Sequence, residues 1–299
     1  MINKNIFICM LLTFVTFFLQ SETSADDRKA FTKDQINSMD GGNLCPKEFK
    51  NKYHHHMVLI DTTSPLTGPQ VNLIKRLILS DESLKLMKPI DKLTIMRLWD
   101  VAPSANRPIF SACRPRSGDP SSPYAIDNPN PWTENDTDLS IPFNKLFIGG
   151  VQEAMLEISD SEIKNSDLGT ISSGSPIMGQ LKEISRLPDL DFTKNSGYES
   201  RTLTLVSDLA QNSERLPFYE LCPGKKSCPT WEKFKNKRQY RIWAKNALPK
   251  FDKGIDVNLL FLNENFDPQM DKGVLEFWID FLEDSGITNI EFDNETAYQ

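Results

Sequence analysis

An α/β fold with a mostly parallel central sheet and helices on both faces is predicted by three observations. Short apolar runs end in aspartate, helical periodicity follows directly after the first of them, and strand and helix patterns go on alternating to the C-terminal end. A chain of 299 residues, 39% hydrophobic and 25% charged, can bury a full core as one large domain with insertions, which excludes disorder as its overall state.

The first element is Met57-Val58-Leu59-Ile60, a continuous apolar run ending in Asp61, the pattern of a strand covered on both faces. Val71, Ile74 and Ile78 then recur at i, i+3 and i+7 with Leu73 and Leu77 beside them, so a helix follows across the Thr62 to Thr67 connection. A second strand is predicted over Leu93 to Val101 and a third near Ile109 to Ala112. Residues 114–142, rich in Pro, Ser, Asn and Asp, read as an insertion. Leu146, Phe147, Gly150, Val151, Ala154, Met155 and Ile158 trace one face of a helix that starts at Phe143. Ile177, Leu181 and Ile184 trace another from Pro176 to Arg186, where Pro176 suits a first helical position. Thr202 to Asp208 repeats the strand-into-aspartate pattern, and residues 212–250 read as a second insertion. Ile255 to Leu262 is a further strand; Val274, Phe277, Trp278, Phe281 and Leu282 line a helix stopped by Gly286; Ile287 to Phe292 is the last strand.

The first 25 residues read as a signal peptide: Lys4 is basic, Ile6 to Leu19 is apolar, and Thr23-Ser24-Ala25 offers a cleavage site. That run is shorter than the roughly 20 residues that span a bilayer, so contact with a membrane is expected only through this segment if it stays uncleaved. Residues 26–52 are a polar lead-in and 53–299 the folded domain. Apart from Cys9, the four cysteines suit an oxidising compartment. Cys222 and Cys228 close a short loop around Pro223-Gly224 and are expected to pair, which leaves Cys45 for Cys113; four free thiols are the alternative. An exported, periplasmic or envelope-associated protein is the reading.

In a parallel sheet all strands end on one rim, so Asp61 and Asp208 become neighbours despite their distance in sequence. Two bare carboxylates repel, and a hard divalent cation held by carboxylate, hydroxyl and water oxygens resolves that repulsion. Thr63 and Ser64 follow Asp61, and Ser172, Ser173 and Ser175 form a polar turn into the helix near Pro176. Either aspartate alone reads as a cap of the turn that follows it. The pair, with a Ser-rich helix entrance between them in sequence, points to a metal site.

These residues resemble the metal-ion-dependent adhesion site of the von Willebrand factor type A domain, a Rossmann-like fold. Asp61-Thr62-Thr63-Ser64-Pro65 is similar to that family's Asp-x-Ser/Thr-x-Ser element. Gly174-Ser175-Pro176-Ile177 is similar to its hydroxyl at a helix entrance, and Val206-Ser207-Asp208 to its second aspartate after the fourth strand. The resemblance spans roughly residues 54 to 292. It implies Mg²⁺ or Mn²⁺ held by Asp61, Thr63, Ser175 and Asp208, and a binding or assembly role in which a partner protein's acidic side chain enters an open coordination position. Two departures are visible. Pro65 stands where a second hydroxyl is expected, so water, Ser64 or Thr67 would complete the shell, with Ser173 a further oxygen nearby. Leu209 stands where a glycine often follows the last aspartate.

Other chemistries find less support. A metal-dependent phosphohydrolase or phosphotransferase of the haloacid-dehalogenase kind also ends its first strand in Asp, but its general acid two residues on is here Thr63. A metal-free scaffold component of the cell envelope is the third reading. His54-His55-His56 enters a strand, whose alternation prevents all three from converging, and the chain has no other histidine for Ser-His-Asp chemistry. Phosphate-binding glycine loops are missing, so nucleotide binding is unsupported. A net charge of −7 argues against nucleic acid as the main partner. Between Trp231 and Lys250, basic residues alternate with Trp231, Phe234, Tyr240 and Trp243; a helix that buries its aromatics and solvates its charges is expected there. Asn135 and Asn294 head glycosylation-type triplets.

Overall fold

The structure, a computed structural model, describes residues 44–45, 53–63, 66–80, 87–98, 108–115, 142–167, 176–187, 198–213, 216–221, 228–251, 254–262 and 268–293. In chain order the strands are β1 (Tyr53–Asp61), β2 (Lys92–Leu98), β3 (Phe110–Cys113), β4 (Tyr198–Ser207), β5 (Asn212–Ser213), β6 (Leu216–Pro217), β7 (Ile255–Phe261) and β8 (Asn289–Asp293). The helices are α1 (Gly68–Leu79), α2 (Gly149–Asp167), α3 (Ile177–Ile184), α4 (Phe218–Leu221), α5 (Trp231–Lys235), α6 (Arg241–Ala247) and α7 (Pro268–Asp284); a π-helical turn, Pro142–Ile148, leads into α2.

Six strands form one sheet in the order β3-β2-β1-β4-β7-β8, while β5 and β6 make a separate two-stranded ribbon. Every neighbouring pair in the sheet is parallel except β2 and β3. The expected α/β class is therefore present, with one antiparallel edge. The chain moves outward from β1 in one direction through β2 and β3, then returns and moves in the other through β4, β7 and β8. Sheets of this kind bind ligands outside the strand ends where the order reverses, here between β1 and β4.

Strand alternation divides the apolar residues between two cores. Met57 and Leu59 of β1 join Leu203, Leu205, Val257 and Leu259 against α3, α5, α6 and α7. Val58 and Ile60 point the other way, joining Leu93 and Ile95 against α1 and α2. From Met57 to Asp61, β1 is buried without interruption, as its apolar run predicts. Across β4 and β7 this holds only at the C-terminal ends. Thr202, Thr204 and Asn258 are half-buried, and with Ile74 and Leu77 of α1 they line a cleft of about 500 Å³.

The lead-in is tied to the sheet edge. A disulfide joins Cys45 to Cys113 of β3 with their Cα atoms 4.9 Å apart, and Leu44 and Cys45 are both buried. Cys228 is also disulfide-bonded, while Cys222, its expected partner, lies outside the described residues. The same is true of residues 1–25, where a signal peptide is expected, most of the 114–142 stretch, and Asn135 and Asn294. Residues 212–250 are less an appendage than part of the core, since Leu216, Phe218, Trp231, Phe234 and Ala244 all pack into it. The single helix expected from Trp231 to Lys250 is instead two short ones. Asn236 ends α5 by donating its side-chain amide to the Glu232 carbonyl (3.0 Å), and Tyr240 heads α6.

Candidate functional site

Asp61 ends β1 and Asp208 directly follows β4, its sheet neighbour, so both reach the same rim at the point where strand order reverses. The register sets Ile60 opposite Val206, which brings the next residue, Asp61, beside Ser207. The Ser207 hydroxyl donates to Asp61 Oδ2 at 2.7 Å, while Asp61 Oδ1 accepts from the Thr63 amide (3.0 Å) and the Thr63 hydroxyl (2.6 Å). A carboxylate only 6% exposed needs such donors, because burial without them costs several kcal/mol.

Asp208 has fewer. Its Oδ1 accepts from the Ala210 amide at 2.9 Å. Burial first, and then the Asp61 charge, push its carboxyl up from 3.8 to about 6 against that one hydrogen bond. The two acids therefore lie within each other's field, as the sequence pattern requires of a cation site.

The backbone after Asp208 turns sharply at Leu209, whose φ of 55° lies in the left-handed region that favours glycine. Leucine holds this conformation because three contacts fix it. Its amide donates to the Ser207 hydroxyl (2.8 Å), its carbonyl accepts from Trp278 Nε1 (2.8 Å), and its side chain is fully buried. Leu209 thus keeps the backbone shape a glycine would give, at the expense of local strain.

Helix α3 is fastened to the same rim. The Met178 amide donates to Oε1 of buried Gln211, three residues beyond Asp208, at 2.9 Å. This brings the entrance of α3 to the loop that carries Asp208. Ser175, just ahead of that entrance, lies outside the described residues with Ser64 and Ser173. Thr67 serves as the N-cap of α1: its amide donates to Gln70 Oε1 (2.8 Å) and its carbonyl accepts from Val71 (2.9 Å). Pro176 likewise stands at the cap of α3, one position ahead of the first helical residue.

No protein-family model and no curated protein matches this chain. The donors themselves are then the test of fit. Among the described residues no three His, Cys, Asp or Glu side chains gather into a metal cluster. The pair would hold a cation through two carboxylates, with hydroxyl and water oxygens making up the shell. An all-oxygen set of this kind fits Mg²⁺ or Mn²⁺ and does not suit softer metals.

Ser207 and Gln211 are the residues that sequence reasoning passed over. For Ser207 the signal was available, since aligning the two aspartate-terminated runs in parallel sets it beside Asp61. Gln211 carries no such signal, because its partner is a backbone amide.

The histidines sit at the opposite end of β1 and serve the fold. His55 faces Thr94 (2.9 Å) and Tyr198 on one side of the sheet, and His54 bonds Ser200 on the other. The His56 ring stands 3.9 Å from fully buried Asp91, which accepts from the amides of His54 (3.0 Å) and Lys88 (2.7 Å). Burial alone would raise the Asp91 carboxyl, but His56 and these amides outweigh it and hold it below the usual value.

Proposed function

We propose that this chain is an exported binding or assembly protein of von Willebrand type A character, whose partner presents an acidic side chain to Mg²⁺ or Mn²⁺ held by Asp61, Thr63, Ser175 and Asp208. The observation that carries this reading is the convergence of Asp61 and Asp208 at the ends of adjacent strands β1 and β4, close enough for one charge to raise the other's proton affinity. A divalent cation bound there supplies an electrophile with a coordination position left for an incoming carboxylate. Ser207 and the Thr63 amide orient Asp61, and the Leu209 turn aims Asp208 at the rim. The joining of Cys45 to Cys113 supports export to an oxidising compartment.

Turnover is the weaker reading. Thr63 occupies the position of a phosphotransferase's general acid, and its hydroxyl is spent on Asp61. A metal-free scaffold has one specific observation in its favour: three donors already satisfy Asp61.

Calorimetric titration of the full chain with Mg²⁺ and Mn²⁺ separates these readings. Saturable heat is expected for the wild type and none for Asp61→Ala or Asp208→Ala; equal heats in all three would remove the metal. Chelator-insensitive capture of a partner would favour the scaffold, and metal-dependent aryl phosphate turnover lost in Asp61→Asn would restore the enzyme.

A further inference from the structure

We propose that helix α6 and the turn before it form a docking face for an anionic membrane surface, independent of the Asp61 and Asp208 rim. Residues 228–250 carry seven Lys or Arg against one carboxylate, Glu232, in a chain whose net charge is −7. So strong a local reversal needs a physical account, and the side-chain directions supply one.

Helical bonding starts ahead of α6: the Arg241 amide donates to the Lys237 carbonyl (3.0 Å) and Ala244 to Tyr240 (2.7 Å). Spacing of three and four residues then sorts this stretch into two stripes. Tyr240, Trp243, Ala244 and Ala247 face inward. Ala244 and Ala247 are buried, and the Tyr240 and Trp243 rings pack on Phe234. Lys237, Arg238, Arg241, Ile242 and Lys245 face outward, all exposed. Ile242 is 78% exposed, the most open of the large hydrophobic side chains among the described residues.

Lys235 is neutralised by Glu232 (2.7 Å) and Asp284 (3.1 Å), but the outward cations form no ion pair with any described residue. What remains is an apolar side chain ringed by unpaired cations on a convex helix, with half-buried Tyr240 and Trp243 at its base. A lipid interface matches each part. Anionic headgroups meet the cations and the acyl boundary takes Ile242, while Tyr240 and Trp243 anchor the helix to the core behind it. Single-stranded nucleic acid fits less well, because Trp231 and Phe234 are sealed in the core at 1% and 0% exposure and the half-buried Tyr240 and Trp243 rings are packed on Phe234, so the exposed stripe presents no ring for a base to stack on.

The test is flotation of the full chain with phosphatidylcholine vesicles, alone or with roughly a third phosphatidylglycerol. The N-terminal run Ile6 to Leu19 partitions into both vesicles and Lys4 adds to the gain on phosphatidylglycerol, so the basic face is read as the part of that gain lost in a variant without its cations. That gain is expected to be large at low salt and to collapse at high salt. One cation near such a surface is worth about five-fold in partitioning, so Arg238→Gln, Arg241→Gln and Lys245→Gln together should lower it about a hundred-fold. Neutral-vesicle binding and the melting temperature should not change. Equal binding to both vesicles by the wild type, an undiminished gain in the triple variant, or tighter capture of a single-stranded oligonucleotide at the same salt would each overturn the proposal.

Discussion

Replacing Asp208 by Asn should make the metal-free protein more stable at neutral pH. Folding raises the Asp208 carboxyl from 3.8 to about 6, through burial and then through repulsion from Asp61. The folded state therefore holds this proton more tightly than the unfolded chain does. Stability from this group is fully present below pH 3.8 and is lost as pH climbs through about 6. At about 1.4 kcal/mol per pH unit the loss is about 3 kcal/mol, and about 2 kcal/mol after allowing for screening of a partly exposed side chain. Asn keeps an oxygen for the Ala210 amide and removes the charge. In chelator at pH 7.5 the variant should melt about 4 to 8 °C above the wild type, and the gap should close as pH approaches 4. Addition of Mg²⁺ should raise only the wild type, because the same repulsion that weakens the apo fold is what a cation would relieve. An Asp208→Asn protein that melts with or below the wild type at every pH would refute the raised proton affinity of Asp208 on which this reasoning rests.

Two further predictions concern the frame around the site. The Cys45 to Cys113 bridge encloses 68 residues, so replacing both cysteines by serine should cost about 4 kcal/mol in urea unfolding, through the larger conformational freedom of the unfolded chain. At position 209 the usual order of substitutions should reverse. Leu209→Ala loses core packing and keeps the left-handed strain, while Leu209→Gly loses the packing but releases roughly 1 kcal/mol of strain. Glycine should therefore be the milder change by denaturant melting; alanine as the milder one would argue against the left-handed turn.

The parts of this fold that were legible are those set by local periodicity. The apolar run before Asp61 and the i, i+3, i+7 pattern after it lie where β1 and α1 form, because burial of both faces sets the strand and burial of one stripe sets the helix. The alternating burial of β4 and β7 was harder to read. Thr202 and Thr204 are β-compatible while Asn258 is not, and the extent of cover over that face is a property of the whole sheet. The break between α5 and α6 lies where the backbone tightens to three-residue bonds, Lys237 to Phe234 and Tyr240 to Lys237, which a long amphipathic pattern does not signal. At the site, sequence supplied both acids and their shared rim. It could not supply the seating of α3, which depends on a glutamine reaching a backbone amide.

The bridge between Cys45 and Cys113 also bears on how this sheet meets other chains. β3 is four residues long and, among the described residues, ladders only with β2; reduction removes its covalent tie to Cys45 and leaves it held by that ladder and by the packing of Phe110 and Ala112. A loosened edge strand offers open amides and carbonyls as a template for intruding β segments. At the far edge, β8 carries exposed Glu291, whose charge discourages such pairing whatever the redox state. Thiol reduction should thus convert a guarded border into a sticky one on a single side, and clumping of reduced material should begin at β3.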